Sequence, residues 1–161
     1  MNIMNIEHIS KIFGEKTIFD DASIGIQEGD KIGIVGINGT GKSTLLRMIA
    51  GDEVPDSGNI IRQNQLKLAW LPQEPKFPEG ATILSYAGDD ETGWKVQSNL
   101  SQLGIMDYST PIEQLSGGQK RKVALAKVLA QDFDVLLLDE PTNHLDSAMI
   151  RWLEDYLKNF R

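Results

Sequence analysis

The chain contains no cysteine. That removes disulfide frameworks and thiolate sites, and with them any pointer to secretion. No apolar run approaches the roughly 20 residues that a membrane-spanning helix needs, so no direct membrane insertion is expected. The opening residues, Met1 to Glu7, have no basic start followed by an apolar stretch, so they do not read as a secretion signal and the cytoplasm is the expected compartment. A basic excess is also missing. The formal net charge is −7, which argues against a non-specific nucleic-acid binder and leaves room only for a local basic patch. Internal repeats and low-complexity segments are absent as well. What is present is ordinary for a globular protein: 161 residues, 40% hydrophobic and 24% charged, enough for one domain with a sizeable core.

Along the chain, strands and helices alternate. Residues 3–9 read as a strand and Phe13 to Lys16 as a turn. Ala22, Ile24 and Ile26 alternate with polar or small residues, as in a half-buried strand. Glu28 to Asp30 forms a second turn, so these two strands belong to an antiparallel layer. Residues 31–35 predict a buried strand, and Gly41 to about Ala50 a helix that Gly51 ends. Ile60 to Arg62 and Leu66 to Leu71 suit two short strands. The stretch from about 75 to 114 is rich in Pro, Gly and Asp at first, with weak helical segments near 82–87 and 95–103. Gly118 to Ala130 is a helix of good formers, and Asp134 to Asp139 is an apolar strand with an acidic end. Asp146 then caps a helix in which Met149, Leu153, Tyr156 and Phe160 share one face. The alternation predicts an α/β fold with a mostly parallel sheet. Trp70, Trp94 and Trp152 read as packing residues, and His8 as an ordinary strand residue.

Two stretches carry chemistry. Between the 31–35 strand and the helix after it, Gly36, Gly41, Lys42 and Ser43 fit the phosphate-loop pattern G-x-x-x-x-G-K-[ST] in its strand–loop–helix context. Glycines at this turn let backbone N–H groups form a concave nest for phosphate oxygens, and the helix start adds its partial positive end. Gly36, Asn38, Gly39, Thr40, Gly41, Lys42, Ser43 and Thr44 are the expected phosphate-binding residues. Lys42 is suited to reach the outer phosphates, and Ser43 to place its hydroxyl on Mg²⁺. Further on, the apolar run Val135 to Leu138 ends in Asp139 and Glu140. Carboxylates at that strand end lie where ligands bind in open α/β sheets. Asp139 is the expected Mg²⁺ anchor and Glu140 the general base for water. No Asn-Lys-x-Asp guanine-reading tetrapeptide occurs, which favours ATP over GTP.

The stretch Leu115-Ser-Gly-Gly-Gln119, standing between these two motifs in sequence, makes the chain resemble the ATP-binding cassette family over essentially its whole length. Ser116, Gly117 and Gly118 at a helix N-terminus form a second anion site, and Gln119 completes the pentapeptide. The resemblance implies that two cassettes pair head to tail, each presenting this signature to the γ-phosphate held by the other's phosphate loop. It also implies that Phe13 stacks on adenine, that Gln73 contacts Mg²⁺ and water, and that Asp146 lies in a loop crossing the dimer.

Glu140 to Asp146, with the sequence Glu-Pro-Thr-Asn-His-Leu-Asp, and Leu71 to Pro75 resemble the ABC-F branch. Its members are soluble, carry two cassettes and act on ribosomes; the alternative is a cassette that docks a transporter's membrane subunit. His144 belongs to this string and is not the family's switch histidine. Two departures stand out. Gln73 and Leu115 are closer than in ABC-F relatives, so the helical subdomain, about 76–130 within a single 1–161 domain, is shortened. The chain also ends at Arg161, before the strand that would carry the switch histidine. The resemblance therefore implies an Mg-ATP-binding cassette that hydrolyses ATP when two cassettes pair head to tail, here incomplete and with poor turnover by itself; the alternative is a nucleotide-binding module without catalysis.

Overall fold

A computed structural model describes residues 1–34, 41–88 and 90–160. The chain divides into two compact units, one of Met1–Trp70 with Phe133–Asp139 and one of Leu71–Asp132 with Glu140–Arg161.

The first unit begins with two long strands, β1 (Asn2–Phe13) and β2 (Lys16–Gln27), joined by a tight turn in which Gly14 has φ 59°. They pair antiparallel with Asn5 opposite Gly25 and Ile6 opposite Ile24. The other edge of β1 pairs antiparallel with β3 (Ser57–Arg62), Ile6 facing Ile60. The expected antiparallel layer is therefore present and longer than the sequence pattern suggested. Helix α1 (Lys42–Ala50) stops at Gly51, whose φ of 92° is the left-handed conformation that closes a helix without strain only in glycine. Leu46, Met48 and Ile49 of α1 pack into one core with Met4, Ile6 and Ile9 of β1 and with Val135 and Leu137 of β5 (Val135–Leu138). Strand β5 neighbours β4 (Leu68–Leu71), although the helices of the second unit separate them in sequence. Asp134 secures the start of this pairing: its carboxylate accepts from the Lys67 N–H at 2.9 Å, and its own N–H donates to the Lys67 carbonyl at 2.8 Å.

The second unit is helical. It contains α2 (Ile83–Ala87), α3 (Glu91–Gln102), a short 3-10 turn at Ile112–Gln114, α4 (Gly117–Ala130) and α5 (Ser147–Lys158). Thr82 and Asp90 cap α2 and α3 with their side chains. Val96 and Leu100 of α3 and Val123, Leu125 and Leu129 of α4 are buried. Asn99 Nδ2 bridges α3 to α4 by donating to the Ala126 carbonyl at 3.1 Å, which satisfies a polar group that burial would otherwise penalise. Leu153 is the buried residue of the α5 face, and Tyr156 on the same face donates to the Leu129 carbonyl at 3.0 Å.

Four local expectations change. Residues 31–34 belong to no strand, and Ile32 and Ile34 are 49% and 39% exposed. An apolar run becomes a buried strand only where neighbouring strands take up its backbone groups, and no described strand pairs with these residues. Val35, the last residue of that expected strand, lies outside the described residues. Ile24 faces Ile6 across the ladder yet is 45% exposed, because β2 is an edge strand. Trp94 is 71% exposed. The buried stripe of α3 runs through Gly93, Val96 and Leu100, and Trp94 is turned off it by one residue. His8 sits at φ 52° where the β1–β2 register shifts, with Nδ1 2.6 Å from Asp21 Oδ1. Asp21 is likewise at φ 52°, so the two residues mark an irregularity in the ladder.

Candidate functional site

Within the first unit, Gly41 opens α1 at φ 95°. A Cβ there would lie 2.3 Å from Ile18 Cγ2, so glycine is required by conformation and by space. The Gly41 carbonyl accepts the first helical bond from the Leu45 N–H at 2.9 Å. Among the described residues no side chain caps this helix start, and no acid stands in its first turn. Its leading N–H groups and dipole are thus directed where an anion would be favoured. Lys42 and Ser43 follow, both half-buried, and Thr44 is buried with its hydroxyl accepting from Arg47 at 3.3 Å. Asp139 directly follows β5 and is 4% exposed. The core shared by α1 and β5 therefore brings the helix start and the strand end into one packed unit. A serine hydroxyl and a carboxylate are hard oxygen donors of the kind Mg²⁺ takes. Gly36, Asn38, Gly39 and Thr40 lie outside the described residues.

Phe13, at the end of β1, is 43% exposed. Lys11 Nζ stands 5.1 Å from its ring centroid, in the range of a cation–π contact. Lys11 is itself 8% exposed and is held by Glu53 at 2.9 Å, by the Val54 carbonyl at 2.7 Å and by Asp56 at 3.5 Å. The hydrogen bond to Glu53 raises the Lys11 pKa, and the same bond lowers that of Glu53. An aromatic ring with exposed surface, set by this ion cluster, suits stacking against a planar base.

Within the second unit, Ser116 and Gln119 form a reciprocal capping box. Ser116 Oγ accepts from the Gln119 N–H at 3.2 Å, and Gln119 Oε1 accepts from the Ser116 N–H at 3.0 Å. The signature residues are thus a helix cap first, and the cap serves the Gln119 N–H while leaving those of Gly117 and Gly118 to other acceptors. The two glycines differ. Among the described residues a Cβ at Gly117 would meet nothing within 4 Å, whereas one at Gly118 would sit 3.1 Å from His144 Cβ. Gly118 is small because the 140–146 turn packs on it, which is where His144 (φ 67°) finds its place. Gly117 presents open backbone.

Glu140 begins that turn at φ 49°, a conformation uncommon for a residue other than glycine. Asn143 fixes it twice: its N–H donates to the Glu140 carbonyl at 3.2 Å, and its side-chain amide donates to Glu140 Oε2 at 2.8 Å. Gln73 is exposed, and its carbonyl accepts from the Arg121 guanidinium. Asp146 caps α5 by accepting from the Met149 N–H at 2.9 Å. The second unit therefore gathers Gln73, Glu140 and the start of α4 through Arg121, which also donates to the Glu140 carbonyl at 3.1 Å. Sequence reasoning passed over Arg121, Asn143 and Lys11. Arg121 and Asn143 stand beside recognised motifs, but nothing in their spacing announces which distant carbonyl or carboxylate they meet.

Among the described residues no helix is long and apolar enough to cross a membrane. Residues 19–143 match the profile of the family described as ABC transporter. The chain is 37% identical over 204 residues to the uncharacterized ABC transporter ATP-binding protein YfmR of Bacillus subtilis (strain 168), covering 99% of this chain and 32% of that protein. It is 39% identical over 159 residues to the ribosome protection protein VmlR of the same organism, covering 98% of this chain and 27% of that one. It spans about a third of the length of the curated relatives it matches. Among solved structures, an ATP-binding subunit of an ABC transporter superposes with a TM-score of 0.80 at 22% identity, over 96% of this chain and 73% of the other, a likeness of fold. The phosphate-loop helix, the acid-ended strand, the capped signature helix and these matches agree: the chain belongs to the ATP-binding cassette family, whose domains are P-loop ATPases.

Proposed function

We propose that this chain holds Mg-ATP at residues 36–44 and hydrolyses it when two cassettes pair head to tail, as part of a cytoplasmic, ribosome-associated protein of the ABC-F kind. The observation that carries the nucleotide site is the acid-free start of α1, which no side chain caps among the described residues, in a helix packed in the same core as the strand that ends in buried Asp139. In this reading Gly36, Asn38, Gly39, Thr40, Gly41 and Thr44 shape the phosphate cradle, and Lys42 meets the outer phosphates. Ser43, Asp139 and Gln73 supply oxygen ligands for Mg²⁺, which when bound offsets phosphate charge. Glu140 takes the proton of the attacking water, held in place by Asn143. Phe13 receives the adenine. Ser116, Gly117, Gly118 and Gln119 face the γ-phosphate of the partner cassette, consistent with the open backbone at Gly117, and Asp146 lies near that seam.

Two points support the ribosomal branch over a transporter subunit. The 140–146 turn carries the Glu-Pro-Thr-Asn-His-Leu-Asp string. Relatives whose names point to translation, the ribosome protection protein VmlR and the energy-dependent translational throttle protein EttA of Mycobacterium tuberculosis (strain CDC 1551 / Oshkosh), are 39% and 31% identical over 98% of the chain.

Calorimetric titration with Mg-ATP tests the site: binding by the unaltered chain and its loss in Lys42→Ala is the expected result. Glu140→Gln in the intact protein tests catalysis. It should abolish turnover while trapping ATP and a closed pair, and unchanged association would sink that reading. Co-sedimentation of the ATP-trapped variant with ribosomes supports the branch, and recovery with a membrane fraction supports the transporter alternative.

A further inference from the structure

We infer that Arg121 is a positioning residue that ties the backbones of Gln73 and Glu140 to the signature helix, so that the three move as one piece. It stands in α4 four residues after Gly117. One Nη donates to the carbonyls of Pro72, at 3.3 Å, and of Gln73, and the other donates to the carbonyl of Glu140 at 3.1 Å. The acceptors lie 48 and 19 residues away in sequence for Gln73 and Glu140. The guanidinium reaches the two segments from two different nitrogens of one planar fork, whereas a lysine ammonium carries its three donors on a single atom and lacks that spacing.

The helix carrying the fork is anchored at its start and along its buried face. Its start is capped by Ser116 and Gln119, and Val123, Ala124, Leu125 and Ala126 bury its next turn. Gln73 and Glu140 have no such helix of their own. The side chains assigned above to metal contact and to water activation both extend from main-chain positions that this guanidinium sets. A displacement of α4, such as contact of its N-terminus with a partner's nucleotide would bring, is passed to both groups through Arg121. This rests on the roles given to Gln73 and Glu140 above. Arg121 itself touches no nucleotide and acts through the two backbones.

The test compares Arg121→Ala and Arg121→Lys with the unaltered intact protein by ATP titration, steady-state hydrolysis and amide hydrogen exchange. Both variants should bind ATP within about twofold of the parent, and kcat should fall about tenfold or more with KM nearly unchanged, as loss of charge-assisted bonds at a catalytic segment implies. Exchange should rise in residues 71–76 and 139–145 but not in β1. Added guanidinium ion should restore part of the kcat of Arg121→Ala, and not that of Arg121→Lys, whose side chain fills the space. Unchanged exchange in those two segments, or raised exchange with unaltered kcat, overturns the inference. If Arg121→Ala does not fold, Arg121→Lys, which keeps charge and an aliphatic stem, decides the matter. If the parent neither binds nor hydrolyses ATP, the nucleotide reading fails, and the exchange comparison still judges the tie.

Discussion

The side-chain amide of Asn143 donates to the Glu140 carboxylate at 2.8 Å, within a turn whose first residue holds φ 49°. A carboxylate that must face a water molecule needs such a restraint, because a free glutamate samples many rotamers. Asn143→Ala should therefore lower kcat about tenfold while ATP affinity stays level, as loss of one hydrogen bond to an ionised group implies. Steady-state kinetics beside an ATP titration checks this, and equal loss in both would point to a disturbed fold instead.

Gly41 offers a sharper test of the phosphate loop. Alanine there must adopt φ 95° and place its Cβ 2.3 Å from Ile18 Cγ2. The conformation alone costs about 1–2 kcal/mol, so thermal melting should fall and nucleotide affinity with it. Pairing Gly41→Ala with Ile18→Ala removes the clash but not the dihedral strain. The double variant should recover only part of the helix-start function, and full additivity of the two changes would contradict the contact.

The two signature glycines should separate cleanly. Gly117→Ala meets nothing within 4 Å and should leave the melting temperature unchanged, yet it should reduce turnover if a partner's phosphates approach that backbone. Gly118→Ala presses on His144 at 3.1 Å and should destabilise the second unit by about 1 kcal/mol, as modest overpacking does. Differential scanning calorimetry with an ATPase assay distinguishes the two. Wild-type turnover in Gly117→Ala would remove the case for a facing nucleotide.

The Lys11–Glu53 pair has a defined pH window. The hydrogen bond to Glu53 raises the Lys11 pKa above its ordinary 10.5, so that part of the stability is complete below 10.5 and is lost as pH climbs through the folded value. The hydrogen bond to Lys11 lowers the Glu53 pKa below its ordinary 4.5, so its share is present above 4.5 and is lost as pH falls through the folded value. The melting difference between the parent and Lys11→Met should be level from about pH 5 to about pH 10 and shrink outside that window. Because Lys11 also stands over the Phe13 ring, the same variant should weaken ATP binding more than binding of inorganic triphosphate, which has no base to stack.

Much of the architecture was legible locally. The apolar run 135–138 ending in acid, the α4 helix of good formers, the Gly51 stop and the Asp146 cap all came out where the pattern put them. Each is set by interactions spanning a few residues. Residues 31–34 misled for the opposite reason: their apolar character promises a strand, but a strand exists only with neighbours to share its backbone bonds. Trp94 misled because hydrophobicity alone does not say which side of a helix a residue occupies. Its one-residue offset from the Gly93–Val96–Leu100 stripe decided that.

By itself the sequence determined the motifs, their order and the helices and caps that present them, because glycine conformations, capping hydroxyls and apolar periodicity act within a turn or two of chain. Only the tertiary structure decided that Arg121 meets the Gln73 and Glu140 carbonyls, that Gly118 seats His144 while Gly117 stays open, and that Lys11 settles beside Glu53 under the Phe13 ring. Phe13 is two residues from Lys11 on the same strand, but the other partners are about twenty to fifty residues apart, and which of them meet is set by how the cores pack rather than by any neighbouring residue.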